Sequence, residues 1–326
     1  MTGWASAAAG LAGLVVAALP SSVLFTFADR EIAESSGLVD RGGVVFTVND
    51  SGSGPVLYGV DPATGETTSR TTYSTDEVVD VEALAPGRDG TVWVADIGDN
   101  GASRDSVALY RTRPGSSTST RLDLRYPDGP RDAEALVAHP RTGRLFVVAK
   151  SVFGGTVYAV PPGARPGRTT TMRRFAQVPG LVTDGAFLPD GKHVVLRGYG
   201  TATVFTFPGF QPTGTVDLPD QQQGEGLAIG RGGRGGRVLL STEGVGTDVL
   251  QVRLPARLTA EPTPSASPTV SESPSASPTS DQPREDEPRR ERQRMWSDPL
   301  AAAARVLMGV VLLGALGLTW WRLRGR

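Results

Sequence analysis

The stretch Asp80-Val81-Glu82-Ala83-Leu84 returns almost unchanged as Asp132-Ala133-Glu134-Ala135-Leu136, and looser copies stand at 34–38 (ESSGL), 183–187 (TDGAF) and 223–227 (QGEGL). The copies close on Leu38, Leu84, Leu136, Phe187 and Leu227. Their period is about 40 to 50 residues, the range in which self-similarity marks propellers and solenoids. After each copy comes a turn ending in glycine (Gly43, Gly90, Gly143, Gly191, Gly236) and then an apolar run: VVFTV at 44–48, TVWVA at 91–95, RLFVV at 144–148, HVVL at 193–196 and RVLLS at 237–241. A third run is centred on Tyr58, Tyr110, Tyr158, Phe205 or Leu250, and a polar fourth is marked at 67–73, 118–126 and 169–178. Short strands punctuated by turns predict an all-β domain. Four strands per repeat, apolar inside and polar outside, describe the blade of a β-propeller.

The expected fold is therefore an all-β propeller of five four-stranded blades. Six blades are the alternative, if the stretches near 97–106 or 209–222 form an irregular one. The last repeat, 225–255, supplies three strands, so the segment 23–28 (VLFTFA) is expected to complete the last blade and close the ring. The aromatic residues Tyr58, Tyr110, Tyr158 and Phe205 recur at one strand position and are read as packing between blades, not as a sugar platform.

Composition changes sharply on either side of this domain. Residues 1–22 contain an apolar run, ASAAAGLAGLVVAAL at 5–19, followed by Pro20-Ser21-Ser22; this reads as a signal peptide cut between Ala18 and Ser22, or as an uncleaved anchor. The propeller is expected over 23–255. Residues 256–297 hold a Pro/Ser/Thr-rich stalk that cannot bury a core, which reaches about 130 Å if fully extended, and a charged collar, REDEPRRERQR at 284–294. Residues 298–321 are expected to form a single transmembrane helix, with Arg305 snorkelling and Trp320 and Trp321 at the far interface. Residues 322–326 form a basic cytoplasmic tail. The domain is thus placed outside the cell, tethered to the cell membrane by a single pass.

The chain carries 33 basic and 34 acidic residues, a formal charge of −1, no cysteine and two histidines, His139 and His193. No basic stripe of the kind nucleic-acid partners need is visible along the sequence. Disulfides, thiolate catalysis and Cys-ligated zinc are excluded. There is no HExxH motif and no serine in a nucleophile-elbow context, which leaves a Ser/His triad without support.

In a four-stranded meander the start of the innermost strand and the loop between the second and third strands share one face. The repeated phrase (Glu34, Asp80, Glu82, Asp132, Glu134, Asp184, Glu225) should therefore meet the residues that follow the second strands: Asn49-Asp50-Ser51-Gly52, Asp96-Ile97-Gly98-Asp99-Asn100, Lys150, Arg197 and Glu243. His139 and Asp61 fall in the opposite turns, and that face is expected to be structural. Carboxylates crowded around a channel raise each other's pKa unless compensated. One compensation is a hard divalent cation, Ca²⁺, which takes six to eight oxygen ligands; the candidates are Glu34, Asn49, Asp50, Glu82, Asp96, Asp99, Asn100, Glu134, Asp184 and Glu225. The other is a network in which Lys150, Arg197, Arg131 and Arg104 pair the acids.

The phrases ESSGL with TVNDSG, DVEAL with VWVADIGDN, YPDGPRDAEAL with HPRTGRLFVVAK, VTDGAFLPDGKHVVLRGY, and QGEGLAI resemble a group of secreted or membrane-attached actinobacterial propellers, over residues 30–255. More distantly, the acidic face resembles those of gluconolactonase-type, strictosidine-synthase-type and esterase-like phytase propellers, several of which hold calcium in the channel. The resemblance implies Glu82, Asn49, Asp96 and their neighbours as ligands; it departs from the His-dependent lactonases, whose imidazoles are missing. Two functions are carried forward. The first is an extracellular binding module with a cation site and an unidentified ligand or protein partner. The second is a Ca²⁺-dependent hydrolase of phosphoesters or related esters, with Glu82 or Glu134 as the catalytic base.

Overall fold

The structure, a computed structural model, describes residues 18–50, 52–231 and 236–260. The anchor and stalk expectations fall outside these residues. Among the described residues no helix is long and apolar enough to cross a membrane.

Among the described residues twenty-one strands form five sheets. Blade 1 is β2 (Ser35–Arg41), β3 (Val44–Asn49), β4 (Val56–Val60) and β5 (Thr67–Thr72). Blade 2 is β6 (Val81–Pro86), β7 (Val92–Asp96), β8 (Val107–Thr112) and β9 (Ser119–Arg125). Blade 3 is β10 (Ala133–Ala138), β11 (Leu145–Ala149), β12 (Gly155–Ala159) and β14 (Arg173–Val178). Blade 4 is β15 (Asp184–Phe187), β16 (His193–Arg197), β17 (Thr201–Thr206) and β18 (Pro212–Asp217). Blade 5 is β19 (Gly224–Ile229), β20 (Arg237–Thr242), β21 (Asp248–Arg253) and, from the other end of the domain, β1 (Ser21–Thr26).

Five blades are therefore present, and the stretches near 97–106 and 209–222 are loops and an outer strand of blades 2 and 4. The closing strand begins two residues earlier than 23–28, so a cut at Ser22 would fall inside β1. The 169–178 segment is not one strand. Residues 170–171 form β13, which runs parallel to β9 and extends blade 2, and the chain then turns back into blade 3 as β14.

The core is five wedges, one between each pair of neighbouring blades. A strand residue faces one neighbouring blade or the other in alternation, which explains why apolar residues run almost continuously along β10 and β11. Tyr58, Tyr110, Tyr158 and Phe205 are all buried in these wedges. The turn glycines at 43, 90, 143, 191 and 236 all have positive φ, the conformation that the hairpin between first and second strands demands and that side chains disfavour.

Closure rests on antiparallel pairing of β1 with β21, Ser21 opposite Val252 through Thr26 opposite Asp248. Just beyond the strand, the Phe27 amide donates to Thr247 O at 3.0 Å, and its buried ring meets Phe25 edge-on at 5.3 Å in the wedge between blades 5 and 1. Replacing a buried Phe by Ala costs about 3–5 kcal/mol. Phe27→Ala should lower the unfolding free energy of the whole domain by that amount, seen as a lower urea midpoint in one cooperative transition; a midpoint equal to wild type would show that the ring stays shut without this side chain.

Candidate functional site

Four of the five inner strands share an irregularity at the repeated phrase. The pairing register slips between Ser35 and Gly37, between Val81 and Ala83, between Ala133 and Ala135, and between Gly224 and Leu227. The extra residues are Ser36, Glu82 and Glu134, and in blade 5 the pair Glu225-Gly226. A bulged residue leaves the ladder and its side chain is re-aimed. Glu82, Glu134 and Glu225 are thereby gathered toward the central channel. In blade 4 the register is continuous, Asp184 opposite Arg197 and Gly185 opposite Leu196. Asp184 is one position earlier in the phrase, stays in the ladder and is fully buried. Its Oδ1 accepts from the Gly185 amide at 2.7 Å and its Oδ2 from the Leu227 amide of the next blade at 2.6 Å. It is a blade-to-blade link.

Three further ligand candidates also spend their oxygens on backbone. Asn49 Oδ1 accepts from the amides of Ala33 and Glu34, each at 3.1 Å. Asp96 accepts in the same way from Val79 and Asp80, at 3.3 and 3.0 Å, and pairs with Arg104 at 2.8 Å. These residues stand at the same place in blades 1 and 2, opposite Ser35 and Val81; Thr242, opposite Gly224, does the same for the Gln223 amide at 3.1 Å. Asp99 caps its own loop through Ser103 and Arg104. Asn100 is exposed, and Glu34 is partly buried near Asp50.

The residues brought together as a metal-sized cluster are Asp50, Glu82 and Asp80, with one carboxylate oxygen from each inside a sphere where all lie within 4.8 Å of one another. Asp50 and Asp80 share a hydrogen bond. Asp80 was expected on this face but not among the ligands. The signal was its place two residues before Glu82, on the strand approach that the bulge turns toward the channel. Gly98 makes room for the group: a Cβ there would stand 2.5 Å from Asp80 Oδ2 and collide with Glu82 Oε1.

Burial, then the neighbouring acids, pushes the Glu82 carboxyl far above its ordinary range, and burial with Asp50 and Asp132 raises Asp80. Glu134 is raised by burial against the pull of Lys150, whose Nζ donates to Glu134 Oε1 at 2.7 Å. Burial and then Glu134 lift Glu225 to about 8; burial and then Asp50 lift Glu243 to about 6. Arginine pairing is therefore partial. Arg104 neutralises Asp96; Arg131 pairs Asp128, outside the channel, at 3.0 Å; and the fully buried Arg197 donates to Gly226 O, Ser241 O and Gln221 Oε1 instead of to a carboxylate. His139 lies in the β10–β11 hairpin on the opposite face, packed against Phe187 and Phe207 at 5.0 and 5.2 Å, as its sequence position implied.

With this geometry in hand, comparison with known proteins adds the following. Neither a family model nor a curated protein matches the chain. Among solved structures it is similar to a gluconolactonase from Xanthomonas campestris, at 17% identity over 72% of this chain and 89% of that one, with a TM-score of 0.45. It is also similar to a glutaminyl cyclase from Myxococcus xanthus (11% identity, 72% and 97% covered, TM-score 0.48) and to a glucose dehydrogenase (10% identity, 72% and 100% covered, TM-score 0.45).

Carboxyls with raised folded pKa hold protons that the unfolded chain releases, so stability must fall as pH rises through the gap between the two values. In EDTA, the melting temperature should decline from about pH 4.5, the ordinary glutamate value, through pH 8, where Glu225 ionises. Glu82→Gln should flatten that slope. A melting temperature that instead rises across this range would mean the channel acids are compensated.

Proposed function

We propose that the domain is a binding module whose channel mouth holds a divalent cation, Ca²⁺, on Asp50, Asp80 and Glu82. The observation that carries this reading is the three-carboxylate cluster, drawn from adjacent blades and spaced to share one ion. The donor set fits: it is all oxygen, the preference of a hard cation, and three carboxylates offer up to six of the six to eight ligands that Ca²⁺ takes. A cation would also offset the repulsion among these acids, which adds to burial in raising Asp80 and Glu82. The residues that follow the described chain would tether this module to the cell membrane as a single-pass extracellular domain, leaving the mouth free for a ligand or protein partner.

A second reading is a Ca²⁺-dependent hydrolase of phosphoesters or related esters. It is favoured by Glu134, raised to about 7 beside Lys150, the range in which a general base works best at neutral pH. Glu82, held protonated, is the poorer base.

A ligand bound only by the folded state raises its stability by RT ln(1 + [L]/Kd), about 2.7 kcal/mol at a hundredfold excess. Full-length protein should therefore melt higher in Ca²⁺ than in EDTA, and Glu82→Gln and Asp80→Asn should each abolish most of that difference. Identical melting in Ca²⁺ and EDTA would remove the metal. Turnover of an aryl phosphoester that is lost in Glu134→Gln would promote the hydrolase reading over the binding one.

A further inference from the structure

The face opposite the mouth was expected to be only structural, but it carries a cleft of about 640 Å³ at the end of blades 2 and 3, well inside the range of small-molecule sites. Its walls are apolar: Leu122, Leu145 and Val160 form the buried part, and the half-buried Trp93 indole lies along one side. Two arginines, Arg111 and Arg144, line it. Arg111 sits 5.9 Å over the Trp93 ring, and Arg144 lies 5.0 and 5.1 Å over the rings of Phe146 and Phe175. Stacking of this kind fixes the plane of a guanidinium while leaving its N–H donors at the edge unused. Neither arginine forms an ion pair or a side-chain hydrogen bond among the described residues. Thr120 and Thr142 line the same cleft and add hydroxyls.

The surroundings have the same sign. The four loops at this end of blades 2 and 3 (86–91, 111–118, 139–144 and 160–169) contain seven arginines, at 88, 111, 113, 141, 144, 165 and 168, against one acid, Asp89. No basic stripe is visible in the sequence because these residues are spread over 80 positions of it; the hairpins bring them to one end. Surface arginines without partners are ordinarily just solvated. Here two of them are held over aromatic rings at the rim of an apolar cleft, in loops where seven arginines stand against one acid.

We infer that this cleft is a second binding site, for a small organic anion that carries an oxyanion head on a planar apolar body. The body lies along Trp93 over Leu122 and Leu145, and the head is held by the N–H edges of Arg111 and Arg144, which match carboxylate or phosphate oxygens in pairs. The site shares no residue with the channel mouth, so it stands or falls independently of the cation there.

Titration calorimetry on the full-length protein tests it, with 2-naphthoate and 2-naphthyl phosphate as probes. Saturable binding of either is expected, weakened at least tenfold by Arg111→Gln and by Arg144→Gln. Both residues are exposed, so the variants should keep the wild-type melting temperature. The neutral analogue 2-naphthylmethanol should bind at least tenfold more weakly than the anions. No detectable heat with either anion at millimolar concentration would overturn the proposal. So would equal binding of the alcohol, or unchanged affinity in the Arg111→Gln/Arg144→Gln double variant. Displacement of bound naphthoate by dextran sulfate, with the two substitutions having no effect, would also overturn it, since a diffuse basic surface would then explain the binding.

Discussion

The bulge at the head of the inner strands is the constraint on which the channel depends. An inner-strand residue in regular pairing faces one neighbouring blade or the other, and a glutamate there would be driven into an apolar wedge. One extra residue takes Glu82, and likewise Glu134, out of the ladder. Blade 4 shows the alternative within the same molecule. It keeps its register, and its acid is swallowed between blades, where two backbone amides hold it. The same kind of side chain is thus a channel group or a structural link according to a one-residue difference in pairing.

The channel acids are costly to place. Burial alone raises every one of them whose shift has been described above, and in each case it outweighs the nearest charge. Lys150 offsets part of this for Glu134, but the arginines that could have served the others are committed elsewhere. Arg197 is the clearest case. It occupies the second-strand position held by Asn49 in blade 1 and Asp96 in blade 2, and it uses the place to bind carbonyl oxygens of blade 5 rather than amides of its own blade. Among the described residues Asp80 and Glu82 form no ion pair; Asp80 shares a hydrogen bond with Asp50, and Glu82 Oε2 accepts one from Ser36 Oγ at 3.3 Å.

Much of this was legible in the sequence because the repeat carries it. The period of the phrase gave the blades, the glycine before each second strand gave the hairpins, and the missing strand of the last repeat gave the closure by β1. The shared acidic face followed from meander topology without any contact being known. The bulges were not legible, since a bulge is a relation between two strands and leaves no mark in one of them. For that reason Asp184 read as equivalent to Glu82, and Asn49 and Asp96 read as ligands although their oxygens cap the approach to the inner strands. The short β13 was missed for a similar reason: Thr170 and Thr171 belong to a polar run, and only the neighbouring blade decides where that run pairs.

A formal charge of −1 concealed the strongest electrostatic feature of the domain. Acids occupy the starts of inner strands and the loops after second strands; arginines occupy the hairpins at the other end. Meander topology brings most of these acids to one face and the arginine-rich hairpins of blades 2 and 3 to the other, so a chain that is nearly neutral by count folds into a domain with an acidic mouth and a basic end under blades 2 and 3. Fields of opposite sign at two faces draw ligands of opposite sign to each. The same topology that concentrates carboxylates at the mouth concentrates guanidiniums at the ends of blades 2 and 3, and neither concentration exists until the strands are paired.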